Sequence, residues 1–185
     1  ASGLARLLAA GLAVPDGCCV TTRAYEQSLA SLGFDPRKRW HRAVGLMGED
    51  RRQELHGCRA AIGRSDLSGV LQGVSEELQR LAGARERQWA VRSSASNEDS
   101  AHTSAAGLYR TVLGVKREEL ARGIIEVWTS LWEERVLAYM AKSGTGDLPP
   151  SMAVVIQPLL DPTVARVAYS IDPVTGCGGH VAINA

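Results

Sequence analysis

Apolar residues recur at helical spacing through the first part of the chain. Leu4, Leu7, Leu8 and Leu12 fall on one helical face, with Ser2 available as a cap. Gly11 and the turn Pro15-Asp16-Gly17 end that helix, and Cys18-Cys19-Val20 predicts a short strand. Thr21 and Thr22 are placed to cap a second helix carrying Tyr25, Leu29 and Leu32. Asp35-Pro36 opens another helical stretch, since Asp caps and Pro suits the first helical position. Residues 36–62 read as mostly helical with glycine interruptions. Ser65 or Asp66 starts a clearer helix, whose stripe is Leu67, Val70, Leu71, Val74, Leu78 and Leu81.

The period then changes. Gln88-Trp89-Ala90-Val91-Arg92 predicts a strand, and the small and polar residues 93–100 predict a loop, because they offer nothing to a core. Residues 108–115 predict a second strand. Residues 117–141 predict the longest helix, with Ile124, Val127, Trp128, Leu131 and Trp132 on one side. After a linker at 144–150, Met152-Ala-Val-Val-Ile-Gln157 is a continuous apolar strand of the kind buried on both faces. A turn at Asp161-Pro162, a strand over 164–171, a turn over 172–176 and a last strand from His180 complete the pattern. Helices dominate the first half and strands the second. That order predicts an α+β domain with an antiparallel sheet, and argues against a doubly wound parallel one. The segments divide as helix-rich 1–87, strand and phosphate-loop region 88–116, long helix 117–143, and hinge and hairpin region 151–185.

Composition narrows the class. With 185 residues, 45% of them hydrophobic and 22% charged, the chain fits one soluble globular domain. The net charge of +1 offers no basic face for nucleic acid. Arg37-Lys38-Arg39 and Arg51-Arg52 are interrupted by acidic and apolar neighbours and read as solvated helix. No apolar run reaches the ~18 residues of a membrane span. Cys18, Cys19, Cys58 and Cys177 form no C-x-x-C, so zinc and redox motifs are absent and reduced thiols in a cytoplasm are expected. A chain lacking an initiator Met and ending inside a strand pattern is expected to have been cut at both ends.

Several catalytic motifs are excluded: no phosphate-binding G-x-x-x-x-G-K-[ST] loop, no dinucleotide G-x-G-x-x-G, no H-E-x-x-H and no G-x-S-x-G. What remains is Val91-Arg92-Ser93-Ser94-Ala95, leaving a strand into small residues. A guanidinium brings a permanent charge and several fixed donors, and small loop residues let backbone N–H groups approach an anion. By residue type alone, an arginine at a strand end more often serves a surface ion pair than a phosphate. Thr103-Ser104-Ala105-Ala106-Gly107-Leu108-Tyr109-Arg110-Thr111 reads as a lid over a ligand or an ordinary connection. Val155-Ile156-Gln157-Pro158-Leu159-Leu160 reads as a plain strand end or a hinge offering amides and apolar side chains to an adenine.

Taken in order, these segments resemble the N-terminal nucleotide-binding domain of phosphoenolpyruvate synthase and pyruvate, phosphate dikinase, which rifampin phosphotransferase shares. The resemblance is carried by Ala10-Gly-Leu-Ala-Val-Pro-Asp-Gly17 with Thr21-Thr22, by Ala90-Val-Arg-Ser-Ser-Ala95 with Glu98-Asp99, and by Ser104-Ala-Ala-Gly107. It continues through Val127-Trp128, Ser130-Leu131, Met152-Ala-Val-Val-Ile-Gln157 and Asp172-Pro-Val-Thr-Gly176. The resemblance implies an ATP-grasp type fold, incomplete at both ends here, in which two lobes close over ATP and Mg²⁺. It places Arg92 on the nucleotide phosphates as the catalytic and ATP-binding cation. Gly107 and Thr111 also fall near the nucleotide, and Gln157, Leu159 and Leu160 beside the adenine. Glu98 and Asp99 match the motif without an assigned role.

The sequence departs from the family in several places. Ala105 stands where an aromatic is usual and Leu108 where Gln is usual. The lysine of a G-x-K segment would lie just before Ala1, and the acidic Mg²⁺ ligands and a Gln-x-Arg-Pro strand beyond Ala185. His102-Thr-Ser-Ala-Ala has the wrong order and context for the family's phosphorylated histidine. The implied activity is a phosphotransferase that passes a phosphoryl group from ATP through a histidine on a swivelling domain to pyruvate on an acceptor-binding domain. An antibiotic acceptor such as rifampin, or a catalytically silent nucleotide-binding module, is the alternative. The chain alone is expected to show no turnover.

Overall fold

In the computed structural model, which describes residues 2–82, 88–95, 107–143, 149, 151–172 and 176–184, the two periodicities become two layers. The helices are α1 (Ser2–Ala9), α2 (Thr22–Ser31), α3 (Pro36–Gly45), α4 (Gly48–Ile62), α5 (Ser68–Ala82), α6 (Leu120–Thr129) and α7 (Glu134–Lys142). The strands are β1 (Cys18–Val20), β2 (Trp89–Ala95), β3 (Thr111–Val115), β4 (Met152–Pro158), β5 (Val167–Ile171) and β6 (Gly178–Asn184). A four-stranded sheet runs β1-β4-β2-β3 with every neighbour antiparallel, and β5-β6 forms a separate hairpin. The domain is α+β with antiparallel sheet, as the element order predicts.

Local chemistry explains most boundaries. Asp35 caps α3 by accepting from the Lys38 amide at 3.0 Å, and Pro36 takes the first turn. Asp66 accepts from the Ser68 amide at 2.9 Å ahead of α5. Thr21 occupies the cap position of α2, but its side chain makes no capping bond. Gly11, at φ 76°, closes the turn after α1 in a conformation that side chains resist.

The structure departs from the sequence pattern at several points. The apolar stripe of the first helix lies largely open: Leu7, Leu8 and Leu12 are 43%, 56% and 55% exposed. Strand β2 runs on through Ser93, Ser94 and Ala95, because these pair with Val154, Ala153 and Met152 of β4. Pairing partners, invisible in a polar run, override its loop-like composition. Strand β3 starts only at Thr111, after a turn at Gly107, and β5 only at Val167.

The long helix over 117–143 is broken. A 3-10 turn at Arg117–Glu119 precedes α6, a second at Ser130–Trp132 follows it, and Glu133 is extended before α7. Ser130 turns its hydroxyl back to the Val127 carbonyl at 2.6 Å, and the tightened turn swings Trp132 into the core. The linker at 144–150, save Pro149, the turn residues 173–175, and Glu98, Asp99, His102 and 104–106 lie outside the described residues.

The core sits between one sheet face and the helices. Helix α6 packs on β2 and β3, α2 on β4, and α5 on β1. Trp40, Trp89, Trp128 and Trp132 are fully buried. Tyr25 meets Trp128 edge-on at 5.3 Å between ring centres, and Phe34 and Trp40 meet Trp132 at 5.3 and 5.8 Å. The Trp132 indole N–H donates to the Tyr25 hydroxyl at 3.1 Å, which satisfies that buried donor. Removing any one of these rings costs about 3–5 kcal/mol on the scale of buried Trp and Phe truncations.

Gly17, where the chain enters β1, admits no side chain. A Cβ there would lie 2.5 Å from the Ile156 carbonyl oxygen and 2.8 Å from Gln157 Cγ. Gly17→Ala is therefore expected to destabilise the domain by about 1–3 kcal/mol, the usual cost of overpacking. Urea unfolding checks this, and an unchanged midpoint would mean that β1 does not approach β4 so closely.

Candidate functional site

Strand alternation sends Val91 to one face of the sheet and Arg92 to the other. Val91 is fully buried, and the Cα hydrogens of Gly123 on α6 sit close against it: a Cβ there would be 3.3 Å from Val91 Cγ2. That contact fixes the helix-covered face. Arg92 then points from the opposite face, where it is exposed.

The register defines what lies beside it. Arg92 pairs with Thr111 of β3 on one side and Val155 of β4 on the other, and Val155 pairs with Cys19 of β1. Directly opposed residues share a face, with Cβ atoms ~4.5–5.5 Å apart. Cys19, Val155, Arg92 and Thr111 thus form one row across all four strands. Gln157 lies two residues along β4 from Val155, on the same face and paired with Ala90. It is only 6% exposed, and its amide donates to the Pro15 carbonyl at 2.8 Å, fastening the segment before β1 to the sheet. Leu159 and Leu160 follow the end of β4 and remain exposed; the Leu159 amide bonds the Gln88 carbonyl at 2.8 Å.

Two of the predicted site residues, Arg92 and Thr111, are direct neighbours, and Gln157 is one pleat away. Leu159 and Leu160 lie beyond the strand end. Gly107, at φ 74°, opens the segment that leads into Thr111. A Cβ on Gly107 would meet nothing within 4 Å, so the left-handed backbone, not crowding, is what calls for glycine there.

A hollow that the sequence reading missed adjoins this row. An open hollow of about 250 Å³ is lined by Leu4 and Leu8 of α1, Val14 through Cys19, Val155 and Gln157. Leu4 and Leu8, from the apolar face of α1, wall this hollow. The segment Val14-Pro15-Asp16-Gly17 held the signal: a rigid turn with a glycine pressed to the sheet leaves space beside it.

Arg39 and Arg42 hold the buried Glu54 at 2.9 and 3.2 Å, and Arg52, Arg80, Arg110, Arg122 and Arg135 also pair with glutamates. Arg92 lacks a salt bridge among the described residues, as do Arg6, Arg23, Arg37 and Arg166, and what distinguishes it is its place on a central strand. No group of three His, Cys, Asp or Glu side chains among the described residues is arranged to hold a metal ion. No helix among them is long and apolar enough to cross a membrane.

These features define an α+β domain with helices packed on one sheet face and Arg92 exposed on the other. The family of the pyruvate phosphate dikinase AMP/ATP-binding domain matches residues 1–185, and the chain belongs to it. The chain is 32% identical over 184 residues to a phosphoenolpyruvate synthase of Aeropyrum pernix, covering 95% of this chain and 22% of that protein. It is 33% identical over 177 residues to a rifampicin phosphotransferase of Streptomyces sviceus, covering 90% of this chain and 19% of that protein. A prodigiosin synthesizing transferase, PigC, of Serratia marcescens is 33% identical over 189 residues, covering all of this chain and 19% of that protein. The chain therefore spans about a fifth of the length of these relatives.

The thiols at the hollow resist ionisation. Burial pushes Cys18 from its ordinary 9.0 up to about 11, with the Glu77 and Cys19 charges adding to it, and burial also raises Cys19. Both groups hold their protons more tightly in the folded chain than in the unfolded one. Their contribution to stability is fully present below pH 9.0 and is lost as pH rises from there toward about 11. Urea midpoints at successive pH values are expected to fall across that window, and to fall less in Cys18→Ala. A flat profile would show that Cys18 is solvated.

Proposed function

We propose that this domain binds ATP on the open face of the sheet, with the phosphates at Arg92 and the adenine toward the hinge after β4. The observation that carries the reading is the register row: an exposed arginine without a salt-bridge partner among the described residues, flanked by Thr111, in a domain of an AMP/ATP-binding family. Arg92 supplies charge and forked donors to phosphate oxygens, and Thr111 a hydroxyl beside it. Gly107 supplies a backbone that a phosphate can approach. Gln157, Leu159 and Leu160 flank the base, Gln157 by holding the Pro15 segment in place and the leucines by apolar contact.

In this reading the domain is one lobe of an ATP-grasp type fold and works in the cytoplasm. The parent protein is a phosphotransferase that moves a phosphoryl group from ATP to a histidine on a separate swivelling domain, and from there to pyruvate. Similar identity to a phosphoenolpyruvate synthase and a rifampicin phosphotransferase supports the same chemistry with an antibiotic acceptor as the second reading. Mg²⁺ would neutralise the phosphate charge when bound. Its ligands are assigned to residues outside this chain on the family resemblance alone.

In the natural polypeptide, Arg92→Ala is expected to lower ATP-dependent turnover by about 10²–10³, the usual loss on removing one donor to developing charge. Arg92→Lys restores part of the rate, because one ammonium cannot reproduce the fork. The melting temperature stays put, since Arg92 is exposed and free of salt bridges among the described residues. Steady-state rates with pyruvate and with rifampicin as acceptors, alongside thermal melts, make the test. A near-normal rate for Arg92→Ala ends the phosphate role.

A further inference from the structure

The segment between Gly107 and Thr111 leads from a turn into β3. It is held from behind, by the broken helix. The Gly107 carbonyl accepts from Arg135 Nη1 at 3.3 Å. Three residues on, the Arg110 amide donates to Ser130 Oγ at 3.2 Å. Between these two anchors the Tyr109 ring is buried. Each anchor is itself oriented. Ser130 is fully buried and spends its single hydroxyl hydrogen on the Val127 carbonyl at 2.6 Å, so a lone pair remains for Arg110. Arg135 Nε is fixed by Glu133 Oε2 at 2.7 Å, and the other oxygen of Glu133 lies 3.8 Å from Arg110.

We propose that Arg135 and Ser130 are positioning residues for the nucleotide site, setting the backbone from Gly107 to Arg110 so that Thr111 enters β3 beside Arg92. This rests on the reading that Gly107 and Thr111 meet ATP. Gly107 sits at φ 74°, and a glycine peptide rotates freely unless something holds it. The guanidinium of Arg135 is that hold. The break at Ser130–Trp132, set by the packing of Trp132, also serves this geometry: an unbroken helix would place Glu133 and Arg135 on different bearings. Arg110, drawn to Glu126 at 3.7 Å and Glu133 at 3.8 Å, acts within this clamp and is not a second phosphate ligand.

The test uses the natural polypeptide with Arg135→Ala, Arg135→Lys and, as control, Arg122→Ala. Arg122 is 68% exposed and pairs with Glu119 and Glu126 on the helix before the break. Steady-state KM for ATP and kcat are measured together with melting temperature and hydrogen exchange of residues 107–111. Arg135→Ala is expected to raise KM about tenfold, the worth of one charge-assisted bond, with a smaller change in kcat. Exchange rises in 107–111. Arg135→Lys recovers much of the KM, since one N–H suffices for a carbonyl, and Arg122→Ala leaves KM unchanged. The inference is overturned if Arg135→Ala keeps KM within twofold of wild type, if exchange in 107–111 is unaltered, or if Arg122→Ala raises KM equally. A wild type that ATP never saturates would instead defeat the nucleotide reading itself.

Discussion

The sheet depends on the ladder between β2 and β4. Seven consecutive residue pairs join them, from Trp89 opposite Pro158 to Ala95 opposite Met152. With β1 on its other edge, β4 is paired on both sides, and β2 likewise lies between β4 and β3. A strand so held cannot slip. A shift of one residue would turn Val91 to solvent and drive the Arg92 guanidinium under α6. Burial of Val91, Ile156 and Val154 thus decides that Arg92 is presented on the open face.

The aromatic cluster transmits that constraint to the far side of the sheet. Trp128 stands on α6 and Trp132 just past its end, and Tyr25, Phe34 and Trp40 come from the helix layer of the first half. Packing Trp132 against Phe34 and Trp40 requires the turn after α6 to tighten, and Arg59 secures it by donating to the Trp132 carbonyl at 2.7 Å. The same tightened turn exposes Ser130 Oγ to Arg110 and leads into Glu133 and Arg135. Core packing and the placement of Gly107 are therefore one arrangement seen from two sides.

Electrostatics divides the arginines into structural and presented ones. Arg39 and Arg42 neutralise a carboxylate that is nearly buried, which an isolated Glu54 would not tolerate. Arg51 closes the end of α3 on the Ala43 and Leu46 carbonyls at 3.2 and 2.7 Å. Arg92 has neither task among the described residues. It stands exposed on a strand between β4 and β3.

Much of this was legible along the chain, for physical reasons that differ by element. The caps at Asp35 and Asp66, the strand Met152–Pro158 and the apolar stripe of α5 follow from local propensity and period, which need only near neighbours. The ordered motif series placed Arg92, Gly107, Thr111 and Gln157 in one family and hence in one candidate site. Tertiary structure alone decided the rest. Ser93 and Ser94 became strand because β4 offers them partners, and the 117–143 helix broke because Trp132 has a pocket to fill. Leu7, Leu8 and Leu12 stayed exposed because no element of the described chain covers them. Pairing and packing energies depend on which residues meet across long sequence separations, and periodicity along one segment does not contain them.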